Sequence, residues 1–87
     1  MGKLMNIGFG NVVNTDKVIA IVSIDAAPVK RMFQAAKEHE VLVDASCGRK
    51  TKSLILTASD YVIASALTPE TLMQRFNTDP SGGSADE

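Results

Sequence analysis

Apolar positions along the chain fall into short blocks, each bounded by glycine, proline or small polar residues, and the spacing within each block predicts its conformation. "NIGFGNVV", residues 6–13, reads as a first strand interrupted by Gly8 and Gly10, and Asn14, Thr15 and Asp16 are turn formers. "KVIAIVS", residues 17–23, is rich in β-branched residues and apolar on both faces, the pattern of a strand covered on two sides. In so small a protein the second cover is expected from another subunit. Pro28 stands where a helix would begin, with Asp25 upstream as its cap. In "VKRMFQAAKEH" the residues Val29, Met32, Phe33 and Ala36 recur at i, i+3, i+4 and i+7, while Lys30, Arg31, Gln34, Lys37 and Glu38 fall on the polar side. "VLVDAS" and "LILTAS" read as strands joined by "GRKTKS", and after a turn "YVIASAL" reads as a last strand. Thr68 followed by Pro69 predicts a capped C-terminal helix, with Leu72, Met73 and Phe76 pinning it to the sheet or to a neighbour. The expected fold is α+β: a small antiparallel-rich sheet of four to five short strands, one main amphipathic helix and a short C-terminal helix.

Composition adds an expectation of self-association. With 87 residues the chain makes one domain at most, and burial scales poorly at that size. Residues 1–76 read as that domain; residues 77–87, "NTDPSGGSADE", hold a single apolar residue, Ala85, and read as a disordered acidic tail. Half of the residues in 1–76 are apolar, more than a body this small hides inside one protomer. The lone Cys47 forms no intrachain disulfide, and Cys47 with His39 makes no metal-ligand set. Partner subunits are therefore the expected support. No secretory signal is visible, and the longest apolar run, Val18 to Val22, is too short to span a membrane, so a cytoplasmic protein with no membrane partner is expected.

The formal net charge is −1, but residues 1–76 carry nine Lys/Arg against seven Asp/Glu, a net +2 that a ring or stack of copies would multiply and align into a belt. The densest cationic stretch is "CGRKTKS", residues 47–53, where Arg49, Lys50 and Lys52 sit within four positions. A solvated hairpin tip is the bland explanation. Three features favour a binding surface. Arg brings the planar fork suited to phosphate, the segment lies between strands that would hold it rigidly, and Lys17, Lys30 and Arg31 lie near the ends of "KVIAIVS". Phe9, Phe33 and Phe76 read as core, so stacking on single strands has little support, whereas backbone contact with duplex DNA has more. There is no helix-turn-helix pattern.

Enzymatic readings are weaker. "GFGN" lacks the third glycine of a dinucleotide loop, with Val13 in that place, and the Lys-Ser/Thr of a Walker loop. Asp44, Asp60 and His39 make a site only if subunits build it jointly. Asp44 is expected instead to orient the 49–52 cations. No enzyme activity, cofactor or small-molecule substrate is expected.

Taken together, "NIGFGNVV", "KVIAIVS", "APVKRMFQAAKE", "VLVDASCGRKTKSLIL" and "SDYVIASALTPET" resemble the RemA family of bacterial extracellular-matrix (biofilm) regulators, from about Leu4 to Phe76. The resemblance implies a DNA-binding transcription factor, mainly an activator of matrix and osmoprotection operons. It also implies a ring-shaped homo-oligomer, associated with the nucleoid when bound, that displays arginines to DNA. The family's DNA-contacting "GRRT" segment matches "GRKT" here, so Arg49 keeps the first arginine and Lys50 replaces the second. A further family arginine matches Lys17, and Cys47 stands where the family commonly has an aromatic residue. With Lys52 these give the expected DNA-binding set: Lys17, Arg49, Lys50 and Lys52. The alternative is a structural self-assembling protein whose basic face binds RNA or an acidic protein.

Overall fold

A computed structural model describes residues 4–77. Of the tail expected at residues 77–87, residues 78–87 lie outside the described residues, and Asn77 belongs instead to the last helix. The elements in chain order are β1 (Leu4–Gly8), β2 (Asn11–Asn14), β3 (Val18–Ser23), α1 (Ala27–Glu38), β4 (Leu42–Asp44), β5 (Ser53–Thr57), β6 (Val62–Ser65) and α2 (Pro69–Asn77), with a 3₁₀ turn at Thr15–Lys17 before β3.

The α+β class stands, but among the described residues six strands in two sheets replace the four or five expected in one. β1 and β2 form an antiparallel hairpin, and the other four form a sheet in the order β3-β5-β6-β4. β3/β5 and β5/β6 pair antiparallel, while β4 pairs parallel to β6. The stretch expected as one glycine-interrupted strand is thus two strands. Phe9 and Gly10 make the turn, with φ of 56° and 82°, the φ signature of a type I′ hairpin.

Alternation in the two central strands builds two cores. Leu54 and Ala64 face α1 and pack with Val29, with Val22, Phe33, Leu42 and Val62 around them. Ile55 faces the other way and packs with Met5, Ile7, Ala45 and Leu72, flanked by Val13, Val18, Ile21, Ile63 and Leu67. The molecule has three layers: α1, the four-stranded sheet, then the hairpin with α2. Within the chain Val18 and Ile21 of β3 pack against one core and Val22 against the other, yet none of the six residues of β3 is buried.

Helix ends follow local chemistry. Pro28 lies in the first turn of α1, but the N-cap is Ala26 without a side-chain bond; Asp25 does not cap, and its N–H instead donates to Ser23 Oγ at 3.2 Å. α1 ends at His39, after which Glu40 adopts a φ of 60° and Val41 N–H donates to Ala36 O at 3.0 Å, closing the helix by a Schellman motif. α2 is capped as expected, the Thr68 hydroxyl accepting from Thr71 N–H at 3.2 Å.

β3 and β4 are the edges of the larger sheet. The register of β3 slips between Val18 and Ala20, and the extra residue, Ile19, is 69 % exposed. Beside it an apolar groove opens against α2, lined by Val18, Ala20, Ile21, Pro69, Met73 and Phe76. Leu72 pins α2 to the core, but Met73 and Phe76 are 56 % and 39 % exposed in this groove. Val43 on β4 and Tyr61 before β6 are exposed apolar residues on the far side of the sheet. No helix among the described residues is long and apolar enough to cross a membrane.

Candidate nucleic-acid interface

The basic segment is not a hairpin tip. Because β6 lies between β4 and β5, residues 45–52 cross over the end of β6. The ends of β3, β4 and β6 and the start of β5 meet at this edge of the sheet, as the pairs Ser23 with Ser53, Ser53 with Ser65 and Asp44 with Ala64 require.

Three buried serines fix the crossover. The Ser65 hydroxyl donates to Ile7 O at 2.9 Å and accepts from Leu67 N–H at 3.1 Å, and the Ser65 carbonyl accepts from Lys52 N–H at 2.9 Å. The Ser53 hydroxyl donates to Leu67 O at 2.6 Å. Ser46 closes the start of the loop: its carbonyl accepts from Arg49 N–H at 3.0 Å, and its own N–H and hydroxyl donate to Asp44 Oδ1 at 2.9 Å and 2.6 Å. Cys47 and Gly48, with φ of 58° and 78°, turn the chain sharply into Arg49. A reading of the hydrophobic pattern alone passes over these serines. Strand parity is the signal that finds two of them, since Ser53 shares a face with Ile55, and Ser65 with Ile63.

Asp44 therefore anchors the loop backbone rather than orienting its cations. The two hydrogen bonds from Ser46, the side-chain one foremost, hold its carboxyl below the usual carboxylate range; slight desolvation of this exposed residue opposes the shift and the charge of Lys37 assists it. A carboxylate whose pKa is depressed by folding contributes stability above its unfolded pKa and loses it as pH falls through the folded value. The difference in Tm between the wild-type chain and Asp44→Asn is expected to be full above the ordinary carboxylate range and to close as pH falls below it, through the depressed pKa of the folded state. Melting curves across that range read this directly, and a difference that stays constant through it would refute the anchor.

Arg49, Lys50 and Lys52 are exposed and line one recess together with Phe9, Ala66 and Leu67. Phe9, expected in the core, is instead 37 % exposed at the hairpin tip, and the Arg49 guanidinium carbon lies over its ring, 5.2 Å from the centroid. Lys50 and Lys52 also border a second recess with Ser23, Asp25, Thr68 and Glu70.

Lys17 is not part of this cluster within the protomer. It precedes β3 at the sheet's opposite end, where its carbonyl accepts from Ala58 N–H at 2.8 Å. The six residues of β3 separate it from the basic loop by roughly 20 Å at about 3.3 Å per residue. Lys30 and Arg31 are exposed in the first turns of α1, which begins where β3 ends. Asp60 lies in the turn before β6, so Asp44 and Asp60 sit at opposite ends of the parallel β4/β6 pair and form no joint site within one protomer.

Comparison with known proteins gives this surface a context. The chain is 54 % identical over 76 residues, 87 % of its length and 88 % of the relative's, to a protein of Brevibacillus brevis that carries the provisional name of regulatory protein. Proteins of Shouchella clausii and Acetivibrio thermocellus with the same provisional name are 50 % identical over 80 residues and 53 % identical over 76, covering 92 % and 87 % of this chain and 92 % and 82 % of theirs. The family model for extracellular matrix regulatory protein A-like proteins matches residues 4–76, from the first residue of β1 almost to the end of α2. The match spans both cores, the hairpin and the whole basic crossover, and the chain belongs to the RemA-like family.

Proposed function

We propose that this protein is a DNA-binding transcriptional regulator that acts as a ring-shaped homo-oligomer, each protomer offering a basic loop to the phosphates of duplex DNA. One observation carries it: Arg49, Lys50 and Lys52 emerge from a crossover whose backbone is tied down by buried serines, so the backbone that presents the cations has little left to order on binding. Family membership supports a regulatory role, and the family's description points to extracellular-matrix genes as targets, with activation the expected sense. Residence in the cytoplasm on the nucleoid and the absence of catalytic chemistry belong to the same proposal.

The ring is supported by unpartnered apolar surface. A closed ring needs two different complementary patches per protomer. The groove beside β3 and the exposed residues on the β4 side, Val43 and Tyr61, are suited to that part. Assembly also accounts for Lys17, which joins the loop's track only when a neighbouring protomer brings the two ends together. Individually weak phosphate contacts then gain from the effective concentration set by the assembly. Spacing of sites and DNA bendability would carry specificity more than base edges do.

The test is a salt titration of duplex binding by the wild-type chain and by Arg49→Ala/Lys50→Ala. The double variant is expected to weaken binding on every sequence alike. Its plot of log affinity against log salt should be flatter by about one for each phosphate that the loop no longer neutralises. Unchanged affinity and slope would remove the loop from the interface. Preferential binding of an RNA hairpin over the duplex in the same titration would favour a self-assembling RNA binder instead.

A further inference from the structure

The hairpin tip is an expensive place for an aromatic residue. Type I′ turns take Asn, Asp or Gly at the first central position because φ is positive there. Phe9 occupies it at 56°, between Gly8 at 107° and Gly10 at 82°. The tip is also tightly held. Gly8 N–H donates to Asn6 Oδ1 at 2.7 Å, and Asn11 Nδ2 donates to Gly8 O at 3.1 Å. A Cβ on Gly8 would lie 3.3 Å from Leu67 Cγ. Phe9 contributes to neither buried core. What it does meet is Arg49, forty residues on in sequence, with the guanidinium over its ring.

We propose that Phe9 is a positioning residue for Arg49: the aromatic face fixes the guanidinium over the hairpin tip, so that its N–H fork is already oriented when a phosphate arrives. The proposal rests on the DNA-binding reading and adds to it a specific role for the tip. The hairpin, held by Asn6, Asn11 and the Ser65 bond to Ile7, and the crossover, closed by Ser46, converge on this one contact. A free arginine side chain samples many rotamers, and a ring face narrows them before binding. Lys50 and Lys52, as compact point charges, need no such orientation.

The experiment is a double-mutant cycle on a fluorescein-labelled duplex of mixed sequence, with Phe9→Leu and Phe9→Tyr each made in the wild-type and Arg49→Ala backgrounds. Phe9→Leu is expected to weaken binding about two- to fivefold for each engaged loop, the size of an exposed cation–π contact. Phe9→Tyr should restore it. In the Arg49→Ala background neither substitution at Phe9 should have further effect. An equal loss from Phe9→Leu in both backgrounds would mean that Phe9 touches DNA itself, and no loss in the wild-type background would mean that it does nothing; either overturns the proposal while leaving the DNA-binding reading intact. Wild-type affinity in Arg49→Ala itself would instead strike at the reading. A second measurement needs no DNA: ¹⁵N relaxation of the Arg49 Nε–Hε group should report a restrained side chain in the wild-type chain and Phe9→Tyr, and a mobile one in Phe9→Leu. Equal mobility in all three overturns the positioning role.

Discussion

If the protein assembles and binds DNA as proposed, replacing Ile19 by Glu is expected to convert the ring to monomers and, with the basic loop untouched, to lower affinity for duplex DNA by roughly 10²–10⁴-fold. Ile19 is the extra residue of the bulge in β3 and the most exposed large apolar side chain among the described residues, at 69 %. It stands at the mouth of the groove that Met73 and Phe76 leave open. The bulge disrupts regular strand addition along this edge, so a partner would dock through side chains, and an unpaired carboxylate buried there costs several kcal/mol. In an isolated protomer the same carboxylate sits in water, and a surface change of that kind alters stability by about 0.5 kcal/mol or less. The variant should therefore stay folded at high concentration while light scattering reports one protomer's mass. Its DNA binding should fall because one loop contacts few phosphates, and the gain from linked loops is gone. An assembled Ile19→Glu protein, or a wild-type sample that is monomeric at working concentration, would refute the groove as the contact.

Much of this architecture is legible in the chain. Both helices announce themselves, α1 through Pro28 and the stripe Val29, Met32, Phe33 and Ala36, and α2 through Thr68-Pro69. β5 and β6 follow from their apolar runs. What stays hidden depends on non-local pairing or on unusual backbone. β4 is three residues long and pairs in parallel with a strand twenty residues later, so nothing local reveals that β6 separates β4 from β5 and turns an apparent hairpin tip into a crossover. "GFGN" reads as part of one strand because a turn of Phe-Gly is rare, although its two glycines flank a residue with positive φ. The cap expected at Asp25 fails because the chain begins α1 from an extended Ala26. For the site, the cations 49, 50 and 52 are plain from composition. The separation of Lys17 from them, and the arrival of Phe9 beside Arg49, require the fold.

The serines join these observations. A small protein with a thin stability margin keeps three hydroxyls in its interior, each hydrogen-bonded, at the one edge where the basic loop crosses. A buried hydroxyl adds little net stability over an apolar residue of similar size. What it adds is direction. Ser65 ties the carbonyl of Ile7 in the hairpin layer to the backbone of Leu67 before α2, and its own carbonyl holds Lys52, so one residue connects the Phe9 tip and the cationic crossover.

Ser65→Ala tests this connection, and its effect on stability should be large for a domain of this size. It leaves the buried Ile7 carbonyl and the half-buried Leu67 N–H without their partner, which costs about 2–3 kcal/mol and lowers Tm by roughly 10–20 °C. The informative comparison is Leu54→Ala, which empties a fully buried site against α1 and should cost about 2–5 kcal/mol. Leu54 faces away from the hairpin, and none of the serine bonds depends on its side chain. At a temperature where both variants remain folded, Ser65→Ala should bind duplex DNA more weakly, because the tip and the crossover no longer share a fixed point. Leu54→Ala should bind like the wild-type chain despite an equal or greater drop in stability. Fluorescence anisotropy at low temperature, with circular dichroism to establish the folded fraction, separates the two. If both variants bind alike, the serine bonds stabilise the fold without setting the interface, and rigidity would no longer account for how the cations are presented.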